Sequence, residues 1–170
     1  MKQLTTIISK ILGIFLTVLM AMMVLDVTWQ VLTRFILKNP SSFTEELAGF
    51  LLIWIGLLGA SYAYHTKAHL GIDVLTYKLT GFKKQVVEIS INLIVLAFAL
   101  FVMVLGGMRL VNLTFTLKQI SPALGIQMGY IYLVIPITGI LIIYFAIDFI
   151  VAAIQTKPSE IVEHKVSVVD

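Results

Sequence analysis

Cysteine is absent from this 170-residue sequence, and charged side chains are scarce. Without cysteine the chain can form no disulfide framework, no thiolate metal site and no cysteine nucleophile. Only 12% of the residues are charged, whereas 59% are hydrophobic and the mean hydropathy is +1.03. Because soluble domains carry about twice that share of charge, the composition predicts an integral membrane protein.

The sequence also lacks the usual signatures of catalysis and of nucleic-acid binding. It contains no glycine-rich phosphate loop and no nucleophile constellation, and its basic residues are not interleaved with aromatic ones. His65 and His69 would share a helix face, but a haem between spans needs an opposing histidine, and the third one, His164, is in a polar tail. We therefore expect no enzyme activity, no metal, no cofactor and no nucleic-acid partner.

Four apolar segments are long enough to cross a bilayer as helices, which requires about 20 residues each. They cover roughly residues 8–36, 45–64, 86–113 and 128–154. None shows the alternation of a transmembrane β-strand, and three exceed the minimum length, which favours tilting. The sequence therefore predicts an all-α membrane protein in which residues 1–156 form one domain of four long, tilted transmembrane helices.

Two further segments should lie outside the hydrocarbon. Between the second and third spans, three aliphatic residues repeat at helical spacing between positions 72 and 79, beside Asp73 and ahead of Gly81. This pattern predicts a short helix lying along the membrane surface. Residues 157–170 carry mixed charges and one proline, which is typical of a solvated tail.

The distribution of lysine and arginine predicts the orientation, because positive residues are retained on the cytoplasmic side. Four basic residues fall on the side of the loops that follow spans one and three: Arg34, Lys38, Arg109 and Lys118. Eight fall on the side of the termini: Lys2, Lys10, Lys67, Lys78, Lys83, Lys84, Lys157 and Lys165. We therefore expect both termini in the cytoplasm, with residues 157–170 as a cytoplasmic tail.

Ionisable residues gather near the two ends of the predicted spans. Asp26, Arg34, Glu45, Glu46 and Arg109 all lie toward the outer ends, and no ionisable residue sits at a bilayer midplane. Ion pathways and proton relays normally place such groups deep in a span. The pattern argues against a conducting or transporting role for this chain alone.

Polar residues at the outer ends of spans one and two are candidates for contacts within the chain or with a second protein. Asp26, Gln30 and Arg34 are spaced by four and would form a stripe on one helix face. Ser42 and Glu45 match a capping box, which leaves Glu46 without an obvious local role. Arg34 could pair with either glutamate within the chain, or with a second protein.

The second span carries small residues that permit close helix packing. Gly56 with Ala60 and Gly59 with Ala63 form two small-xxx-small pairs. Trp54 lies near mid-depth, away from the interfacial belt where tryptophan is usual. We interpret this span as a helix-packing element.

Several of these features occur together in a known family. The segments "TRF" and "FTEELAGFLLIWIGLLGASYAYHTKAHLGIDVL" lie between residues 33 and 75, and "SPALGI" precedes "YIYLVIPITG". Their order and separations resemble those of the small membrane subunit of tripartite ATP-independent periplasmic (TRAP) transporters. The resemblance covers nearly the whole chain.

The resemblance implies a division of labour in a bacterial inner membrane. In that family a periplasmic binding protein captures a carboxylate solute, a large elevator-type subunit carries it inward with sodium, and the small subunit partners the large one. The chain looks most similar to sialic acid systems, which implies N-acetylneuraminate as the solute, with C4-dicarboxylates left open. The candidate interface or docking residues are Asp26, Gln30, Arg34, Glu45, Glu46, Trp54, Gly56, Gly59, Ala60, Ala63, His69, Asp73 and Arg109.

Two other function classes remain open from the residues alone. One is the membrane anchor of a redox complex of the quinone or cytochrome type, which would need axial histidines on facing spans. The other is a free-standing channel or small exporter that self-associates through the second span.

Overall fold

The structure is a computed structural model that describes residues 2–38, 41–66 and 82–155. Within these ranges the chain is helical and contains four helical spans long and apolar enough to cross a membrane. The predicted all-α membrane fold is therefore confirmed. The predicted surface helix between spans two and three, and the tail 157–170, lie outside the described residues.

The helices extend a few residues beyond most of the predicted spans. The first span is α1 (Lys2–Phe35) and the second is α2 (Ser42–His65). The third consists of α3 (Phe82–Phe98), a π-helix (Ala99–Gly106) and α4 (Gly107–Thr116). The fourth consists of α5 (Met128–Tyr132) and α6 (Val134–Gln155). We call the end of the molecule that carries residues 2, 65, 82 and 155 the terminal side, and the opposite end the loop side.

The fourth span is interrupted near its start. Pro136 has no N–H to donate to the carbonyl of Tyr132 four residues earlier. The chain accordingly leaves the helical pattern at Leu133, between α5 and α6.

The four spans pack as an open row in which the main helix contacts follow the order first, second, fourth, third. On the terminal side, side-chain hydrogen bonds also join the first span to the fourth and the second to the third. The core lies where the first, second and fourth spans meet. It consists of leucines from α1 and residues from α2 and α6: Leu12, Leu16, Leu19, Leu58, Tyr64, Val134, Phe145 and Ala146. Among the described helices, the first and third spans are not neighbours.

Helix α1 buries a single narrow seam. Thr5, Leu12, Leu19, Asp26 and Thr33 are all buried and lie seven residues apart. A seven-residue repeat keeps one side of a helix against its partner along its whole length. Leu16 is buried beside this repeat, but most of the other large apolar side chains of α1 are exposed, so most of the surface of α1 faces outward.

The third and fourth spans approach each other closely at three glycines. A Cβ added to Gly129, near the start of the fourth span, would lie 2.7 Å from the ring of Phe115. A Cβ added to Gly139 would lie 2.8 Å from the Cβ of Met103 and 3.3 Å from the carbonyl oxygen of Ala99, both in the π-helix. A Cβ added to Gly107 would lie 2.9 Å from the side chain of Ile135. The backbones can approach this closely because glycine has no side chain.

Candidate interface residues

Glu46 joins the start of the second span to the loop between the third and fourth spans. Its carboxylate oxygen Oε2 accepts hydrogen bonds from the backbone N–H groups of Ala123, at 2.9 Å, and Leu124, at 3.0 Å. The Ser121 side chain also hydrogen-bonds the carboxylate. Consecutive N–H groups in a turn form a concave anion site, so Glu46 binds this loop as an internal anion.

The loop that Glu46 binds is a compact turn. The N–H of Ser121 donates to the carbonyl of Ile126 at 2.9 Å, and the N–H of Gly125 donates back to the carbonyl of Ser121 at 3.0 Å. Gly125 has φ +67°, a left-handed conformation that suits glycine. Ser121 is buried beneath the turn. The carboxylate and the turn therefore hold each other in place on the loop side.

The helix cap of α2 differs from the predicted capping box. Ser41 is the N-cap residue and accepts from the N–H of Thr44 at 3.5 Å, while the Thr44 hydroxyl returns a hydrogen bond to the Ser41 carbonyl at 2.9 Å. The prediction that Ser42 and Glu45 form the cap is wrong by one residue, because Ser42 already begins the helix. Glu45 lies in the first turn, exposed, where its charge complements the helix dipole.

The three residues of the polar stripe on the first span lie in three different environments. Asp26 lies on the buried seam, and its Oδ2 is buried without a hydrogen-bond partner among the described residues. Gln30 is half-buried, and its backbone carbonyl accepts a hydrogen bond from the hydroxyl of Thr33 at 3.0 Å. Arg34 is exposed. The exposure of the side chains therefore increases along the stripe, from Asp26 in the buried seam to Arg34 at the surface.

The charges of the loop side remain apart in the described part of the chain. The ion pair recorded within the described ranges joins Lys84 to Glu88 on the terminal side, at 3.9 Å. Arg34 does not pair with Glu45 or Glu46, so the within-chain pairing considered from the sequence is not formed there. Arg34, Glu45 and Arg109 are exposed.

The two glycines of the small-xxx-small pairs in the second span have open space beside them. A Cβ added to Gly56 or Gly59 would have nothing within 4 Å. Ala60 is exposed and Ala63 is half-buried. Trp54 is half-buried and meets Phe15 of α1 edge-on, with ring centroids 6.5 Å apart.

Polar contacts on the terminal side were not predicted from the sequence. The Thr5 hydroxyl lies 3.1 Å from the Tyr144 hydroxyl and donates to Asp148 Oδ2 at 3.3 Å, which joins the first span to the fourth. These pairs join helices that are distant in sequence. The sequence shows only the spacing of residues within one helix, so the pairs could not be predicted from it. Hydroxyl-to-carboxylate contacts of this kind contribute about 0.6 kcal/mol on average in membrane helices.

A second set of contacts joins the second and third spans to their neighbours. The Tyr64 hydroxyl donates to Asn92 Oδ1, and Gln85 Nε2 donates to the carbonyl of Ala153 at 2.7 Å. The ring of His65 stacks on Phe145 with centroids 4.6 Å apart. These contacts fix the four helix ends of the terminal side.

Two of the predicted interface residues, His69 and Asp73, lie outside the described residues. Within the described ranges, no group of three or more histidine, aspartate or glutamate side chains is arranged to hold a metal ion. The surfaces of the spans are largely open: only 11% to 22% of the residues in the most apolar part of each span are buried.

Long apolar helices with so little internal burial define a multi-pass α-helical membrane protein. The sequence model of the family described as "Tripartite ATP-independent periplasmic transporters, DctQ component" matches residues 23–156. The chain belongs to this family, so the resemblance drawn from the sequence is confirmed. Its members are subunits of transporters, which are not an enzyme class.

Three relatives show how the family is organised. The chain is 29% identical over 144 residues to the sialic acid TRAP transporter small permease protein SiaQ of Vibrio cholerae, covering 85% of this chain and 82% of that one. It is 29% identical over 165 residues to the ectoine TRAP transporter small permease protein TeaB of Halomonas elongata, covering 97% and 83%. It is 28% identical over 116 residues to the sialic acid TRAP transporter permease protein SiaT of Haemophilus influenzae, covering 68% of this chain but 18% of that longer protein.

Proposed function

We propose that this chain is the small scaffold subunit of a sodium-driven TRAP transporter in a bacterial inner membrane. It stabilises a large elevator-type membrane subunit and helps the periplasmic solute-binding protein to dock. Both termini lie in the cytoplasm, and the terminal side is the cytoplasmic side. The solute is a carboxylate, with N-acetylneuraminate as the specific proposal.

The open row of spans is the observation that carries the scaffold role. A protein that encloses its own pathway needs helices around a common axis, whereas here the first and third spans lie at opposite edges of the row. The row leaves two broad apolar faces uncovered. One face can meet the large subunit while the other meets lipid.

The match to SiaT supports a large membrane partner. In that protein the segment similar to this chain occupies about one fifth of a single longer permease chain. A segment joined covalently to the rest of a permease in one relative is expected to associate with a separate permease subunit in another. We therefore propose the large TRAP subunit as the main partner.

The loop side suits the proposed docking of the binding protein. Arg34, Glu45 and Arg109 are exposed there, and the compact turn held by Glu46 provides a fixed surface on the same side. Complementary charges mainly guide encounter and register between proteins. We therefore propose that the binding protein docks on the loop side, which faces the periplasm in the proposed orientation.

The solute proposal rests on the sialic acid relatives. SiaQ and SiaT are both named for sialic acid, whereas TeaB is named for ectoine. The uptake experiment must therefore offer more than one solute. Labelled N-acetylneuraminate, succinate and ectoine form a suitable set.

The decisive experiment reconstitutes the transporter in proteoliposomes. The tagged chain is co-expressed with a large TRAP membrane subunit from the same organism, the complex is purified, and uptake is measured with the binding protein and an inward sodium gradient. We expect co-purification, sodium-dependent uptake of N-acetylneuraminate, and no uptake when either membrane subunit is omitted. Failure to co-purify would refute the scaffold role, and uptake by this chain alone would favour the channel or exporter.

Arg34→Ala tests the docking surface in the same assay. Removing an exposed rim charge should slow association with the binding protein and lower uptake several-fold at low ionic strength, with less effect at high salt. Lys83→Ala, an exposed cation on the opposite side, is the control and should leave uptake unchanged. Equal uptake by wild type and Arg34→Ala at low salt would show that Arg34 does not contribute to docking.

An absorption spectrum of the purified protein tests the redox anchor. The family assignment favours a transporter subunit, so we expect no Soret band. A Soret band that scales with protein concentration would instead favour a cytochrome-type anchor.

A further inference from the structure

A groove of about 560 Å³ runs between the first and second spans on the terminal side. Its apolar part includes Ile14, Met20 and Gly59, and its polar end includes Lys10 and the Tyr62 ring. The Tyr62 ring lies on the backbone of Gly13, where an added Cβ would be 3.3 Å from the ring. The ring therefore forms one wall of the groove.

The length of the groove matches one leaflet of a bilayer. Along α1 the lining residues extend from Ser9 to Met20, which corresponds to about 16 Å of helix at 1.5 Å per residue. Half of the hydrocarbon core of a bilayer measures about 15 Å. An acyl chain that starts at the membrane surface would therefore reach the deep end of the groove.

The polar end of the groove has a cation without a protein partner. Neither the Lys10 ammonium nor the Tyr62 hydroxyl has an ion pair or hydrogen bond among the described residues. No acidic side chain occurs among the described residues that line the groove. Lys10 is exposed and is the last charged residue before an apolar run that extends to Asp26, so its ammonium should lie at the headgroup level.

We propose that this groove binds one anionic phospholipid, with an acyl chain between the two spans and the phosphate at Lys10 and Tyr62. An ammonium and a phenol hydroxyl both donate to phosphate oxygens, and the excess of positive charge favours a lipid with net negative charge. The apolar length then selects a lipid over a soluble phosphate compound. The proposal requires only that the chain lies in a bilayer, so it does not depend on the identity of the permease partner.

Gly59 provides a direct test because the groove itself lies beside it. A Cβ at Gly59 would meet nothing within 4 Å, so Gly59→Leu should fill the groove without disturbing the packing of the chain. Gly49→Leu is the matched control, because Gly49 is an exposed glycine of the same helix, has equally open space and does not line the groove. Lys10→Gln removes the cation, and Lys83→Gln is its charge-matched control.

The experiment is native mass spectrometry of the delipidated full-length chain titrated with phosphatidylglycerol or phosphatidylethanolamine. We expect one phosphatidylglycerol to bind more tightly than phosphatidylethanolamine. Lys10→Gln should weaken phosphatidylglycerol binding about fivefold, as expected for one lysine at an anionic headgroup, and Gly59→Leu should abolish it. Both controls should bind as the wild type does. Equal binding by all variants, or no preference for phosphatidylglycerol, would overturn the proposal.

A second measurement examines the groove in the membrane. A photoreactive amino acid at Met20, an exposed residue at the deep end of the groove, is activated in cells that also produce the large subunit. A phospholipid adduct would support the proposal. An adduct with the large subunit, or with a second copy of this chain, would show that a protein fills the groove and would overturn it.

Discussion

At the scale of single residues, Glu46 has a role that differs from that of its neighbour Glu45. Both belong to a charged doublet at the start of an apolar helix, but only Glu46 contacts the loop around Ala123. Glu45 remains exposed in the first turn of α2. One carboxylate therefore stabilises the tertiary structure of the loop side, and the other is available to solvent or to a partner.

Replacing Glu46 should loosen the turn that it binds. In Glu46→Ala the N–H groups of Ala123 and Leu124 lose their carboxylate acceptor, so we expect their amide hydrogens to exchange several-fold faster with solvent. Hydrogen exchange followed by mass spectrometry over residues 117–128 measures this. Glu45→Ala is the control and should leave exchange unchanged. Equal exchange in the two variants would contradict a special role for Glu46.

Asp26 is a polar residue at a position of the α1 seam where an apolar residue would pack. Its Oδ2 is buried without a partner within the described ranges, and Leu19 occupies the equivalent position one heptad earlier. We expect Asp26→Leu to raise the free energy of unfolding of the chain in detergent by about 1 kcal/mol, because an unsatisfied buried polar group is removed.

Asp148→Leu is the matched comparison for Asp26→Leu. Asp148 accepts a hydrogen bond from Thr5, so the same substitution there should lower the stability of the chain. Denaturant titration of both variants measures the two changes. Destabilisation by Asp26→Leu as large as that by Asp148→Leu would indicate that the Asp26 carboxylate is paired in the folded chain.

At the scale of helices, the positions of the spans could be predicted, but their contacts could not. The length of the apolar runs predicted all four spans to within six residues at each end, because a chain that crosses the hydrocarbon must form a helix to satisfy its own backbone. The α1 seam was not visible, since its buried positions mix Thr5, Leu12 and Asp26 and give no apolar period. The π-helix in the third span likewise has no sequence signal that would locate it.

The glycines that permit close helix packing show the same limit of prediction from the sequence. The pattern of the second span drew attention to Gly56 and Gly59, yet both have open space in the folded chain. The tight contacts occur at Gly107 of the third span and at Gly129 and Gly139 of the fourth. Spacing along one helix shows where a close approach is possible, and only the fold shows which approach is made. The bond from Glu46 to a turn 77 residues away was hidden for the same reason.

Gly139→Ala should destabilise the contact between the third and fourth spans. The added methyl group would lie 2.8 Å from the Met103 Cβ, so either the π-helix or α6 must shift, at a cost of about 1–3 kcal/mol. Thermal unfolding in detergent measures the effect. Gly56→Ala adds the same methyl group in open space and should be neutral or slightly stabilising. A neutral Gly139→Ala would show that the two spans do not pack closely.

At the scale of the whole molecule, the proposed scaffold role predicts mutual stabilisation. A partner that binds only the folded state raises the stability of that state. We expect the large subunit to unfold at a temperature several degrees higher when it is purified with this chain than when it is purified alone. The intrinsic fluorescence of the two preparations, followed on heating, measures the difference. Identical midpoints would contradict the scaffold role.

The open row also sets the width of the protein in the plane of the bilayer. Because the first and third spans are not neighbours, four helices with axes about 8–10 Å apart reach further along the bilayer than the same helices in a closed square bundle would. A permease bound along such a row would resist rotation about an axis in the membrane plane, because its support extends over a wide strip of the bilayer. Any tilt of the assembly would then have to deform many surrounding lipids. A moving transport domain could therefore travel across the membrane while its support keeps its orientation in the bilayer.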